Sequence, residues 1–437
     1  MSVTKAFPRH WVSPHNAIMW RSSRFTGGIA LSLLACGDTQ ISSPAAALRR
    51  DSAGIEIVDN PEHAPDTLQW SLDTVPRVAI GDESRGNAYT FAMIVAVERF
   101  SDGRIIVAEG HRSALGIRVF DSLGIHLHDL GRRGQGPGEY ASIRDLYVLP
   151  GDTLVAASIY DTGPLIYYDG HGSHARTVLR TDFPPDSALG QYRIVSVLGA
   201  FDDGALLAML GWQPGWASAA MRTREVGVPH FFADTAKLIR GHPMTAPLAV
   251  YGVVPRERGV FYPRGMRVSG FHDLYIYAQP SFAIRGMHVL VAGGEAFEIR
   301  EYAPDGGLAR IIRKQHTPVP IGRAWADSVV RASRAAFRRY PDLHWILDAP
   351  VPEPPAAAPA IDRLVVDDDG NLWVHSNQRG RSPAEPVWYV FDSTGVLRHS
   401  LRAPIPQVAR IGRDHVLGVV RDSLDVPRVV VLPLIKQ

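Results

Sequence analysis

The sequence predicts an all-β fold, a six-bladed β-propeller, and three observations carry that expectation. Short β-branched runs recur in blocks of four strands along most of the chain, at the spacing of about forty to fifty residues expected of propeller blades. The runs are separated by tight-turn signals, among them Asp102-Gly103, Asp203-Gly204, Asp305-Gly306 and Asp369-Gly370. In these, Gly tolerates positive φ and Asp bonds its own backbone. Finally, the last block is one strand short, while a spare β run, residues 75–80, stands near the start. A four-stranded sheet cannot cover both its faces alone. Radial repetition does, and an N-terminal strand completing the C-terminal blade removes the open edge.

Residues 102–140 set the pattern. After Asp102-Gly103, residues 104–108 (RIIVA) are short, apolar and β-branched, as a strand buried between neighbouring sheets requires. Residues 117–121 alternate, Ser122-Leu123-Gly124 turn the chain, and residues 125–130 alternate again. With residues 94–100 as innermost strand these make the first blade. Residues 143–149, 153–158, 165–169 and 175–179 make the second. A third begins at 194–198 and 205–210, carries an insertion with Trp212 and Trp216, and resumes at 228–233. Residues 239–281 have no clear pattern. The fourth blade takes 282–292, 296–302 and 308–312; the fifth takes 364–366, 372–374, 387–391 and 396–401. The last has 408–411, 416–420 and 429–432. One segment departs from β patterning: residues 323–340 are Ala/Arg-rich without Gly or Pro, which predicts an inserted helix. Trp325, Val329, Ala336 and Tyr340 share one side of it, and Arg331, Arg334 and Arg338 another. A solvated arginine face on a packed helix is preferred over a lipid-binding one.

The chain has 437 residues, net charge +2, 46 % hydrophobic content and one cysteine, Cys36. This suits a globular fold with a sizeable core and calls for no nucleic-acid partner. A lone thiol excludes a disulfide framework and any multi-cysteine metal site. Met19 is followed by a basic segment with Arg21 and Arg24, an apolar run over 25–35, and then Cys36-Gly37. That order reads as a secretory signal, with a core too short to span a bilayer. The expected division is an extension over 1–18, a lipoprotein signal peptide over 19–35, a polar tether over 36–66 that holds a short strand over 54–58, and the propeller over 67–437.

Leu33-Leu34-Ala35-Cys36 resembles the lipobox of bacterial lipoproteins, with Leu34 bulkier than usual at its position; the resemblance implies lipidation of Cys36. The residues Phe120-Asp121-Ser122-Leu123-Gly124, the loop from Gly131 to Tyr140, and Asp368-Asp369-Gly370-Asn371-Leu372-Trp373-Val374 resemble six-bladed propellers of the NHL-like and TolB-like group, in particular envelope-associated bacterial lipoproteins. That resemblance implies fold and address, a membrane-anchored protein facing the periplasm or cell surface, more than an activity.

No catalytic, cofactor or metal constellation stands out. The Gly131–Gly138 loop lacks the Lys-Ser/Thr ending and following helix of a phosphate cradle, so it reads as an inter-blade loop. Asp367, Asp369 and Asn371 open like a calcium loop, but Gln378 stands where the bidentate Glu is needed. The same stretch partly matches an Asp-box, a structural motif, with Val366 in place of its Ser/Thr. His126 with His128, and His171 with His174, have no third zinc ligand at a fitting spacing. Arg132 and Arg133 on the glycine loop, with Trp212 and Trp216 in the insert, are the candidate rim contacts. The expected function is a binding platform for a protein or glycan partner in the envelope, without chemistry. The alternative is a propeller hydrolase, lactonase- or glycosidase-like, with or without a metal, with carboxylates converging on the central channel.

Overall fold

The computed structural model describes residues 46–65, 70–110, 114–158, 163–178, 192–212, 230–242, 247–264, 267–273, 280–335, 356–376, 387–403 and 405–436. They form a closed ring of six antiparallel blades, each first strand innermost and in contact with the first strand of the next. The first blade runs Ile94–Arg99, Ile105–Glu109, Gly116–Phe120, His126–Leu130. The second runs Asp145–Leu149, Thr153–Ala157, Leu165–Tyr168, His174–Val178. The fifth runs Ile361–Val366, Leu372–Ser376, Val387–Phe391, Leu397–Arg402.

Closure follows the sequence expectation. The sixth blade has Gln407–Ile411, His415–Arg421 and Pro427–Ile435, and Val78–Ile80 pairs antiparallel with the last of these. Ser71–Leu72 extends the same edge. The core is six seams, one between each pair of adjacent blades. In the closing seam, Ile105 and Phe120 of the first blade meet Ile80, Leu417, Val429 and Val431 of the sixth. Each such side chain, fully buried, stabilises the fold by roughly 1.5–3 kcal/mol. Gly124, at φ +80°, lies so close to this seam that a Cβ there would meet Val78 Cγ1 at 2.9 Å. The outer turn of the first blade therefore docks directly onto the N-terminal closing strand.

Two regions differ from the sequence reading. Part of the expected tether is structured: Leu48–Ser52 and Ile55–Asn60 form a hairpin, and Ile55–Asn60 runs parallel to Leu308–Lys314, the outer strand of the fourth blade. Ile57 and Val58 are buried there, enough apolar surface to hold a short polar strand on a sheet edge. The fourth blade, otherwise Ser281–Arg285, His288–Ala292, Glu298–Tyr302 and Leu308–Lys314, thereby becomes a six-stranded sheet. In the third blade, the poorly patterned stretch is β-structure. His230–Gly241 pairs with Ala249–Arg264, and Arg267–Asp273 adds a fifth strand to Tyr192–Ala200 and Leu206–Trp212. Leu206–Trp212 pairs with this hairpin only from Lys237 to Gly241, so the remainder overhangs the blade.

The expected helix covers Arg323–Ala335. Trp325 packs on a small cluster with Ile321 and Ala358, while Arg331 is exposed, which fits the packed insert. Arg338 and Tyr340 lie outside the described residues. No helix among the described residues is long and apolar enough to cross a membrane.

Candidate functional site

The expected site residues are scattered. Cys36 and Trp216 lie outside the described residues, and Trp212 ends the second strand of the third blade. Arg132 and Arg133 are exposed and pair in parallel with Glu139 and Tyr140. The glycine loop they sit on is filled by its own side chain. Glu139 Oε2 accepts from the Gly136 N–H at 2.9 Å, and Oε1 accepts from Arg132 Nε at 2.6 Å. These contacts hold the Glu139 carboxyl below its usual range. A Cβ on Gly134 would stand 1.9 Å from Glu139 Oε2, so glycine is what lets the carboxylate in. An anion position exists in this loop, and the protein occupies it. Tyr140 then anchors the loop: its hydroxyl donates to Leu130 O at 2.8 Å and accepts from Ile117 N at 3.1 Å, and burial pushes its pKa up to about 12.

Asp367 is likewise committed to the fold. Oδ1 accepts from the backbone N–H of Asp369 and Asn371, and Oδ2 accepts from Trp373 Nε1 at 2.9 Å. The result is a turn locked to a buried indole, and it leaves little of the carboxylate for calcium. His126 faces Asp129 at 2.9 Å and His174 faces Thr177 at 2.9 Å. Among the described residues no three His, Cys, Asp or Glu side chains are placed to hold a metal ion.

Sequence reasoning pointed to the central channel without naming the residues that line it. The inner strands enclose an open cavity of about 210 Å3. Glu98 of the first blade and Arg410 of the sixth are its charged lining, beside Tyr147 of the second. Leu198 and Gly199 of the third blade and Ile284 of the fourth make the opposite, apolar wall. Burial pushes the Glu98 carboxyl up to about 7 and the charge of Asp145 adds to this, while Arg410 and the Arg99 N–H hold it back. The wall is close-packed around Glu98, yet the bore leaves it partly accessible.

Further groups border the same bore. Burial raises the Asp145 carboxyl against the pull of Arg144 and Arg363, although 38 % of the side chain stays exposed. Burial lowers the pKa of Arg363, opposed by Asp362 and Asp145, and its Nη1 donates to Val408 O at 2.7 Å. Arg410 Nη2 donates to Asp368 Oδ1 at 2.9 Å, and Tyr147 donates to Val197 O at 2.8 Å. Acid thus comes from blades one and two, base from blades five and six, and apolar surface from three and four. Among the described residues Glu98 forms no ion pair. A sequence signal did exist: Glu98 and Arg410 are charges inside apolar inner strands, Ile94–Arg99 and Gln407–Ile411. A titratable group displaced toward neutrality in a cleft is a functional-site candidate.

A family model described as a 6-bladed beta-propeller matches residues 91–186, the first two blades. No curated protein matches the chain. Among solved structures it is similar to a candidate exported protein of Bacteroides fragilis, at 11 % identity and TM-score 0.47, covering 87 % of this chain and 99 % of that one. It is also similar to a member of the duf4221 family from Bacteroides vulgatus, at 8 % identity and TM-score 0.45, covering 84 % and 99 %. A gluconolactonase from Xanthomonas campestris aligns at 14 % identity and TM-score 0.35, covering 84 % and 97 %.

Proposed function

We propose that this chain is a lipid-anchored binding platform of the bacterial cell envelope, a propeller of the NHL-like and TolB-like kind that recognises an envelope protein or glycan at its channel mouth without transforming it. The lipobox-like Leu33-Leu34-Ala35-Cys36 supports the anchor. The observation that carries the platform reading is the chemistry of the channel lining: among the described residues it offers one carboxyl, one guanidinium and one phenol, and no Ser, Thr, Cys or His. Among the described residues this lining offers no Ser, Thr or Cys nucleophile for acyl transfer, and only one of the two carboxyl groups that glycoside hydrolysis uses. The nearby Asp145, Arg363 and Arg410 are each engaged by the protein's own groups.

The hydrolase alternative draws on one observation, the Glu98 carboxyl pushed up to about 7, where a general acid or base works best. Turnover of chromogenic esters, lactones and glycosides by the wild-type protein and Glu98→Gln separates the two. The platform reading expects no turnover from either. Turnover that disappears in Glu98→Gln would replace it with the hydrolase. For the anchor, the wild type should sediment with membranes and incorporate a fatty-acid label, and Cys36→Ser should do neither; label retained by Cys36→Ser would remove the anchor.

A further inference from the structure

We infer that the channel cavity is a subsite for a small zwitterion, an ammonium and a carboxylate on one carbon with a short apolar substituent, held between Glu98 and Arg410. The inference rests on the platform reading and gives that platform a ligand class.

Three features of the cavity converge on this class. The first is charge. Glu98 and Arg410 stand on adjacent blades and both line the cavity, yet they form no ion pair with each other among the described residues. Arg410 gives Nη2 to Asp368, and a guanidinium has further N–H donors to offer. A zwitterion supplies each side with its opposite charge and arrives without net charge. A neutral ligand would desolvate both groups and pair neither, which is costly.

The second feature is the far wall. Leu198, Gly199, Ala283 and Ile284 present apolar surface opposite the charged pair. Gly199 lets Ile284 approach: a Cβ there would meet Ile284 Cδ1 at 2.8 Å. An apolar substituent would lie against this side while the charged end lies against the other. The third feature is size. At about 210 Å3 the cavity is smaller than the roughly 300–1,000 Å3 of sites for drug-sized ligands, which sets an amino-acid scale.

Proton linkage follows from the groups facing Glu98: Arg410 from the sixth blade, Asp145 and Tyr147 from the second, and Arg99 on its own strand. Contact with an ammonium favours the ionised carboxylate, so binding near neutral pH should release a proton. Affinity should fall as the medium is acidified below about 7.

The test is calorimetry on the purified full-length protein in detergent, with L-valine, its two halves isobutylamine and isovalerate, and glucose as probes. Valine should bind at least tenfold more tightly than either half. Glu98→Gln and Arg410→Met should each weaken valine binding tenfold or more, with unfolding midpoints confirming that both variants fold. Heats in buffers of different ionisation enthalpy should reveal proton release at pH 7. Equal affinity for valine and one half, binding of glucose in place of valine, or no heat with valine would overturn the inference. A silent titration from a protein that also lacks turnover sinks the zwitterion alone. Turnover that depends on Glu98 sinks the platform reading whatever valine does.

Discussion

The side-chain amide of Asn60 is bonded to the backbone beside Leu397, 337 residues further along the chain. Its Oδ1 accepts from the Leu397 N–H at 2.8 Å, and its Nδ2 donates to Gly395 O at 3.0 Å and to Arg313 O at 3.0 Å. Asn60 is buried, and it joins the N-terminal hairpin to the fourth and fifth blades at once. Removing the amide leaves buried backbone groups without partners, at about 1–3 kcal/mol each. Asn60→Ala should therefore lower stability by about 2–4 kcal/mol in a denaturant titration. Arg50→Ala, which removes the exposed Arg50–Asp59 pair of the same hairpin, should cost under about 1 kcal/mol. Equal losses from the two would mean that the amide does not hold the seam.

Much of the ring was legible because its turns are local. Asp121 accepts from the N–H of Leu123 and Ile125 just as Asp392 accepts from those of Thr394 and Val396, so one four-residue chemistry marks blade after blade. The closing strand was legible by subtraction, since the last block lacked a partner. The run over 54–58 was legible as a short strand, but its hairpin with Leu48–Ser52 and its place on the fourth blade were not, because its parallel partner lies some 250 residues away and only the packed ring brings the two together. The long hairpin of the third blade escaped for a different reason. Its strands carry Pro255 and Pro263 and lack the Asp-Gly turns that mark strand ends elsewhere. The channel pair was hidden because Glu98 and Arg410 come to one cavity only by ring closure; in sequence each is a charge at the end of, or within, a largely apolar strand.

The closure carries an acid-sensitive clasp. Arg77, just before the closing strand, is ion-paired with Asp414 of the sixth blade, and the His415 ring lies 2.9 Å from the same carboxylate. These partners hold the Asp414 carboxyl at about 2, below its ordinary 3.8. Because the folded value is the lower one, the contribution is complete above pH 3.8 and is lost as pH falls through about 2. Asp414 keeps 64 % of its side-chain surface exposed, so solvent screening limits the effect to about 1 kcal/mol or less. Asp414→Asn should lower the melting temperature at pH 6 and narrow its gap to the wild type between pH 4 and 2. A gap that widens in acid would contradict the assignment.

Gly124 tests the docking of that closing strand from the other side. A side chain there meets two obstacles: a backbone at φ +80°, and contacts of 2.9 Å to Val78 and 3.1 Å to Ile80. Gly124→Ala should cost about 2–3 kcal/mol, combining left-handed strain of about 1–2 kcal/mol with overpacking. Gly370, also at positive φ but with open space around its missing side chain, isolates the strain alone. Gly370→Ala should therefore cost less. Hydrogen exchange at Val78–Ile80 should speed up in Gly124→Ala and not in Gly370→Ala. Unchanged exchange at those amides would show that the turn does not support the clasp.

Glu98 itself should reveal a stability cost, as a group held out of water for binding does. Its carboxyl titrates at about 7 in the folded protein and near 4.5 when unfolded. The folded state therefore holds the proton more tightly, and Glu98 weakens the fold progressively as pH rises from about 4.5 through 7. The full displacement corresponds to roughly 3 kcal/mol at most, and water reaching the bore will reduce it. Glu98→Gln keeps the shape and removes the titration. Its stability should stay close to the wild type at pH 4.5 and exceed it at pH 8, with the gap opening as pH rises from about 4.5 and levelling off above about 7. A Gln variant with the same advantage at every pH would mean that Glu98 is not forced to ionise in the channel. A variant less stable at pH 8 would mean that the carboxylate is stabilised there by Arg410, and would leave the cavity without an unpaired acid for a ligand to meet.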